Sequence, residues 1–179
     1  GSKMKIIESA QKALDDEIKG LSLLKDFFDS DFEEAVNTIF KTKGKVVVTG
    51  VGKSGHIGRK ISATLSSTGT PYYFVHPTEA SHGDMGMIEN NDIIFAISWS
   101  GETTELGNIV KYALENKIKL IGLSSNKDSH LAKSSDIPLN LPLVDEACPN
   151  GLAPTTSTTM QLVVGDALAI SLLLSLIHI

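Results

Sequence analysis

The sequence predicts an α/β domain in three layers, with a doubly wound, mostly parallel sheet and helices on both faces. Three observations carry that prediction. The β-branched run Val46-Val47-Val48 suits a parallel strand covered on both faces, and Ile93 to Ile97 and Leu120 to Leu123 read as further core strands. Glycine- and hydroxyl-rich turns follow the first two runs: Gly50-Val51-Gly52-Lys53-Ser54-Gly55, then Ser98-Trp99-Ser100-Gly101-Glu102-Thr103. Each turn then leads into a helical stretch. Strands alternating with helices in this way place ligands beyond the strand C-termini, the edge that both turns occupy.

Taken in order, Gly1-Ser2 ahead of Met4 reads as a cloning scar, so residues 1–3 are set apart and residues 4–179 are expected to form one domain. Leu14, Ile18, Leu21, Leu24 and Phe28 recur at three- and four-residue steps among charged residues, the pattern of an amphipathic helix. A helix this long ahead of the first strand is expected to pack on another subunit. Asp31 is the expected cap of a second helix carrying Phe32, Ala35, Val36, Ile39 and Phe40, with Lys43-Gly44 as its end. After the first strand, Gly50, Gly52 and Gly55 allow positive φ and close approach of a ligand, and Ser54 is the expected cap of a helix from His56 to about Ser67. Gly69 stops that helix and Pro71 opens an extended segment to Val75. Thr78 to Asp84 reads as a short capped turn before the strand Ile93 to Ile97. A helix then runs to about Asn116, the strand Leu120 to Leu123 follows, then a short helix near Ser129 to Lys133 and a strand from Ile137 to Leu141. Pro149, Gly151 and Pro154 mark a loop, and Thr155-Thr156-Ser157 start a long apolar helix.

Composition narrows the function. Of 179 residues 41% are apolar, which is globular, and 16 Lys plus Arg against 21 Asp plus Glu (net −5) leave no basic stripe for DNA or RNA. Cys148 is the only cysteine, so no intrachain disulfide can form, and without a signal peptide a reducing cytoplasm is the expected compartment. The uncharged tail from Ala167 to Ile177 falls short of the roughly 20 residues a spanning helix needs, so it is expected to be a buried or interface helix rather than a membrane anchor.

A helix start after glycines is a ready anion site, most simply for a phosphate. The P-loop pattern fails, because its opening glycine would fall at Val47 inside the strand. Gly50-x-Gly52-x-x-Gly55 matches the dinucleotide fingerprint, yet the place for the ribose-binding acid reads Tyr72-Tyr73-Phe74-Val75-His76-Pro77. A smaller phosphorylated ligand fits better.

Several segments together resemble a known family. They are Val48-x-Gly50-x-Gly52-Lys53-Ser54-Gly55-His56-Ile57-Gly58-Arg59-Lys60, His76-Pro77-x-Glu79-Ala80-x-His82-Gly83-Asp84, Ser98-x-Ser100-Gly101-Glu102, and Glu146-Ala147-Cys148-Pro149-x-Gly151-Leu152-Ala153-Pro154-Thr155 with Gly165-Asp166-Ala167. This set is similar to the sugar isomerase (SIS) domain of arabinose-5-phosphate isomerases, over most of the chain. The resemblance implies a flavodoxin-like doubly wound domain, a homotetramer with sites between subunits, and interconversion of D-arabinose 5-phosphate and D-ribulose 5-phosphate for synthesis of the acidic sugar Kdo of lipopolysaccharide or capsule. Two features depart from the family. Trp99 stands where members usually have Asn, and the usual Ser-His-Pro-Gly-Gly segment with its further histidine, and the pair of CBS domains, do not follow Gly165-Asp166-Ala167.

Such an isomerisation moves a proton between C1 and C2 through an enediolate, and needs a base, an oxyanion partner, ring opening and a grip on the phosphate, but no redox cofactor. For the grip the candidates are Gly52, Ser54, Ser98, Ser100 and Thr103, although Ser54 and Thr103 also suit simple helix capping. For the base, the resemblance places Glu146 in a catalytic loop, and Glu105 is the alternative. Lys53 suits the oxyanion or ring oxygen, and His82 suits ring opening because imidazole titrates near neutral pH. His56, His76 and His130 read as structural or loop residues. No ligand spacing for a metal is present. Competing readings are a sugar-phosphate-sensing SIS module without turnover, and an isomerase of another sugar such as sedoheptulose 7-phosphate.

Overall fold

The computed structural model describes residues 2–81 and 83–178. The chain enters through helix α1 (Ser2–Ser22) and a single further turn, α2 (Leu24–Phe27). The helix expected to run unbroken to Phe28 tightens at Leu23, whose N–H bonds the carbonyl of Gly20 at 3.1 Å. This turn drives Leu24 and Phe27 into the core while Leu14 and Ile18 stay more than half exposed. Helix α3 (Ser30–Lys41) is capped by Asp29 rather than Asp31: the Asp29 carboxylate accepts from the N–H groups of Asp31 at 3.0 Å and Phe32 at 3.3 Å. Asp31 instead lies in the first turn, where the helix dipole favours an acid. The helix ends at Lys41, two residues before the expected stop, because Thr42 takes an extended backbone.

The strands are β1 (Val46–Gly50), β2 (Tyr72–Val75), β3 (Ile93–Ile97), β4 (Lys119–Ser124) and β5 (Ile137–Asn140). They form one parallel sheet in the order β2-β1-β3-β4-β5. The remaining helices are α4 (Gly52–Ser66), α5 (Pro77–Ser81), α6 (Gly107–Glu115), α7 (His130–Ser134) and α8 (Thr156–Ile177). Successive strand residues alternate between the two helical layers. Val46, Val48, Ile93, Phe95, Ile97, Ile121 and Leu123 pack with α2, α3, α4 and α8. Val47, Ile94, Ala96 and Leu120 face α5, α6 and α7. With both faces covered, every residue of β1 and β3 is buried, which is why these strands read as unbroken apolar runs.

Helix α8 spans 22 residues and is long and apolar enough to cross a membrane. It exceeds the uncharged tail because it already starts at Thr156. Its inner face, Met160, Val164, Leu168, Ala169 and Leu172, is buried in the domain core against α3 and α4. Gly165 packs tightly on α4, where a Cβ would fall on the side chain of Ile61. Past Leu172 the helix turns Leu173, Leu174, Leu176 and Ile177 outward.

Candidate active site

In a sheet of this order all strands run parallel but the winding reverses at β1 and β3, with β2 added on one side and β4 on the other, so the connections after these two strands leave on opposite faces. The crevice beyond the strand ends at such a switch point is the usual ligand position in open parallel sheets. Gly50, the last residue of β1, pairs with Ile97, the last of β3. The Gly52–Ser54 turn and the Ser98–Thr103 loop therefore leave adjacent strand ends at the same edge of the sheet.

Helix α4 begins at Gly52, four residues before the predicted start near His56, because Gly52 adopts φ +61° and turns the chain directly into the helix. Among the three turn glycines only Gly52 has positive φ; Gly50 and Gly55 serve close packing, since a Cβ on Gly55 would lie 2.9 Å from the Gly50 carbonyl oxygen. Ser54 is thus inside the first turn and is not the cap; the N-cap position is Val51, without a side-chain bond. The first-turn N–H groups have no partner within the helix, and the exposed Lys53 adds a positive charge beside them. The Ser54 hydroxyl, half-buried, faces the amide of Gln161 on α8, with Oγ 3.4 Å from Oε1 and 3.3 Å from Nε2.

The second turn is held from within. Ser98 is 2% exposed, and its Oγ accepts from the Gly101 N–H at 3.0 Å and lies 2.7 Å from Thr103 Oγ1. Its hydroxyl shapes the loop, and Ser100 is the one that reaches the surface. Ser100 Oγ accepts from the Glu102 N–H at 3.1 Å, which leaves its own proton free to donate outward. Gly101 needs its φ of +72°, and a Cβ there would collide with Ser129. The loop is also latched to the next strand end. Gly101 O accepts from Leu131 N at 3.0 Å, Glu102 Oε1 accepts from His130 N at 2.7 Å, and Trp99 O accepts from both N and Oγ of Ser125. Trp99 and Ser100 line a cavity of about 680 Å³ beyond β3, β4 and β5, with Glu102, Ser125, Asn140 and Leu143.

The two candidate carboxylates are held differently. Glu146 is half-buried, and both its oxygens engage Ser157 at the start of α8: Oε1 accepts from the backbone N–H at 2.8 Å and Oε2 from the hydroxyl at 2.6 Å. Glu105 is exposed in the 3₁₀ turn Thr104–Leu106, with Thr104 Oγ1 at 3.4 Å. Glu146 lines a second cavity of about 610 Å³ with Lys12, Asp16, Lys19 and Leu143, and neither cavity includes Lys53 or Ser54. His82, expected in ring opening, lies outside the described residues. No cluster of three potential metal ligands occurs among the described residues. Sequence reasoning missed Gln161 and Ser157. The available signal was weak: a glutamine inside an otherwise apolar helical face.

The SIS domain family matches residues 38–171. Arabinose 5-phosphate isomerase KdsD from Yersinia pestis is 53% identical over 166 residues, covering 93% of this chain and 51% of that protein. Arabinose 5-phosphate isomerase KdsD from Pseudomonas aeruginosa is 49% identical over 167 residues, covering 93% of this chain and 51% of that protein. The chain therefore spans about half the length of the curated relatives it matches. Among solved structures, the E. coli CFT073 protein c3406 in complex with arabinose 5-phosphate superposes with a TM-score of 0.91 at 40% identity, covering 96% of this chain and 92% of that chain.

Proposed function

The chain belongs to the SIS domain family, and on that premise we propose that it is the isomerase domain of an arabinose-5-phosphate isomerase, interconverting D-arabinose 5-phosphate and D-ribulose 5-phosphate in the cytoplasm, for Kdo synthesis. The observation that carries the reading is the pairing of Gly50 with Ile97, which sets two hydroxyl-rich turns around one crevice at a helix N-terminus. A phosphate dianion suits that crevice. First-turn N–H groups of α4 and the hydroxyls of Ser54, Ser100 and Thr103 donate to its oxygens, with Gly52 allowing close backbone approach and Ser98 holding the loop. The names of the relatives support arabinose 5-phosphate as the sugar.

With the phosphate fixed, the chemistry lies at C1 and C2 of the opened sugar. Glu146 takes the role of base: a carboxylate held by two hydrogen bonds to Ser157 is aimed before substrate arrives, and each oxygen keeps a further lone pair for a proton. Lys53 faces the developing enediolate oxygen, where a cation lowers the barrier most. Glu105 serves as the second carboxylate, and His82 as the ring-opening group. We place the sites between subunits of a homotetramer, with the exposed stripe of Ile7, Leu14 and Ile18 on α1 as a contact.

The test is incubation with arabinose 5-phosphate in deuterated water, followed by NMR. The expected result is ribulose 5-phosphate, with deuterium at C2 of recovered aldose. Binding without turnover would favour the sensing module, and faster turnover of sedoheptulose 7-phosphate would favour an isomerase of that sugar.

A further inference from the structure

Gln161 sits in the second turn of α8 and is 1% exposed. A primary amide carries two donors and two acceptor lone pairs, and in a core nearly all of them are paired. Here the amide's hydrogen-bond partner among the described residues is a single atom, Ser54 Oγ, at 3.3 Å from Nε2 and 3.4 Å from Oε1. Met160 and Val164, its neighbours along the helix, are fully buried apolar residues. An apolar residue of the same volume would suit packing at least as well. The contact joins residues 107 positions apart, and the Ser54 end lies at the crevice between β1 and β3.

We propose that Gln161 is the positioning residue of Ser54, setting the direction of its hydroxyl for the phosphate of the substrate; this rests on the reading of Ser54 as part of the phosphate grip. The chemistry runs through the donor–acceptor sense of one bond. If Ser54 donates to Oε1, it turns lone pairs toward the crevice and repels a phosphate oxygen. If Nε2–H donates to Ser54 Oγ, the hydroxyl proton, still bound to its oxygen, is free to point outward, and the O–H is polarised by the amide. Both contacts are at the long end for hydrogen bonds, so the hydroxyl is held without being committed to either sense. An anion selects the second. Ser157, four residues earlier and on the same face of α8, holds Glu146 by its N–H and hydroxyl, so consecutive turns of one helix position the grip and the base.

Four proteins test the proposal: the wild type, Ser54→Ala, Gln161→Met and the double variant. Calorimetric titration with arabinose 5-phosphate gives Kd, isomerisation gives KM and kcat, and thermal unfolding checks the fold. Losing a hydroxyl donor to a dianion predicts a rise in Kd of roughly 10- to 100-fold for Ser54→Ala. Gln161→Met is expected to raise Kd and KM about 3- to 10-fold with kcat within about twofold, since it frees the hydroxyl to point wrongly without removing it. In the Ser54→Ala background the same change is expected to move Kd by less than about twofold. Should Gln161→Met fail to fold, Gln161→Leu takes its place in the cycle. Equal weakening in both backgrounds, or no change from Gln161→Met alone, overturns the proposal and leaves the grip intact. No change from Ser54→Ala removes Ser54 from the grip and the inference with it, and a wild type that does not bind arabinose 5-phosphate overturns the functional reading itself.

Discussion

Glu146 has a double assignment that one substitution series separates. Its carboxylate accepts two hydrogen bonds from Ser157 in the first turn of α8, so it acts as a cap reaching in from another segment. Thr155, at the N-cap position, makes no side-chain cap bond to the helix; its hydroxyl accepts from the Ala147 N–H at 2.9 Å instead. Removing a cap typically costs about 0.5–2 kcal/mol, and losing a carboxylate from a helix N-terminus adds about 0.3–1 kcal/mol. Because the group is half-buried, about 2 kcal/mol is the expected total for Glu146→Ala. For a domain of this size each kcal/mol shifts Tm by about 2–4 °C, so the variant should melt about 4–8 °C lower. Glu146→Gln can still accept from the Ser157 N–H, while the Ser157 hydroxyl turns to accept from its amide, and most of the Tm should survive. Turnover is expected to behave differently: if Glu146 is the base, both variants should lose roughly a hundredfold or more in kcat. Scanning calorimetry and isomerase kinetics on the same preparations supply both readings. An unchanged Tm for Glu146→Ala refutes the cap, and near-normal deuterium incorporation at C2 by Glu146→Gln moves the base to Glu105.

Three further outcomes are expected. Ser100→Ala should weaken binding of arabinose 5-phosphate by about 1.5–3 kcal/mol in calorimetric titration with Tm unchanged, because Ser100 is exposed and its proton is free. Tyr73 has its phenol pushed up to about 12, first by burial and then by the carboxylates of Asp92 and Glu89. A raised folded value means that its stabilisation is complete below pH 10 and is lost as the pH climbs to about 12; Tyr73→Phe, which also removes a buried hydroxyl without a partner, should lose less stability than the wild type between about pH 9 and 11.5 in urea titrations. Leu14→Lys with Ile18→Lys, on the exposed stripe of α1, should lower the assembly state in light scattering while the monomer stays folded.

What the sequence disclosed follows the range of the interactions involved. Strands β1, β3 and β4 were legible because burial on both faces writes itself as an apolar run, and the crevice was legible because its turns need glycine and hydroxyls next to strand ends. Local competition blurred the helix starts. Asp29 and Asp31 are equally good caps by type, and only the backbone at Asp29 decides between them; Ser54 looks like a cap until Gly52, at positive φ, starts the helix two residues earlier. The connections from Ser54 to Gln161 and from Glu146 to Ser157 were not legible. They span 107 and 11 residues and depend on where α8 settles against α4, which no local pattern encodes.

Helix α8 keeps its buried polar and buried apolar residues in separate turns. Its polar inward residues, Thr156, Ser157 and Gln161, are confined to its first two turns, at the edge of the sheet where the crevice lies. Each buried polar group left short of partners costs about 1–3 kcal/mol. Farther along, Val164, Leu168 and Leu172 bury side chains worth about 1.5–3 kcal/mol each, and Gly165 leaves room for Ile61 of α4. This buried apolar face offsets that cost and holds the polar start of the helix in the core. Had the helix been only as apolar as an ordinary surface helix, the poorly satisfied Gln161 and Thr156 would have pulled its first turns toward water. Ser54 and Glu146 would then have lost their common support.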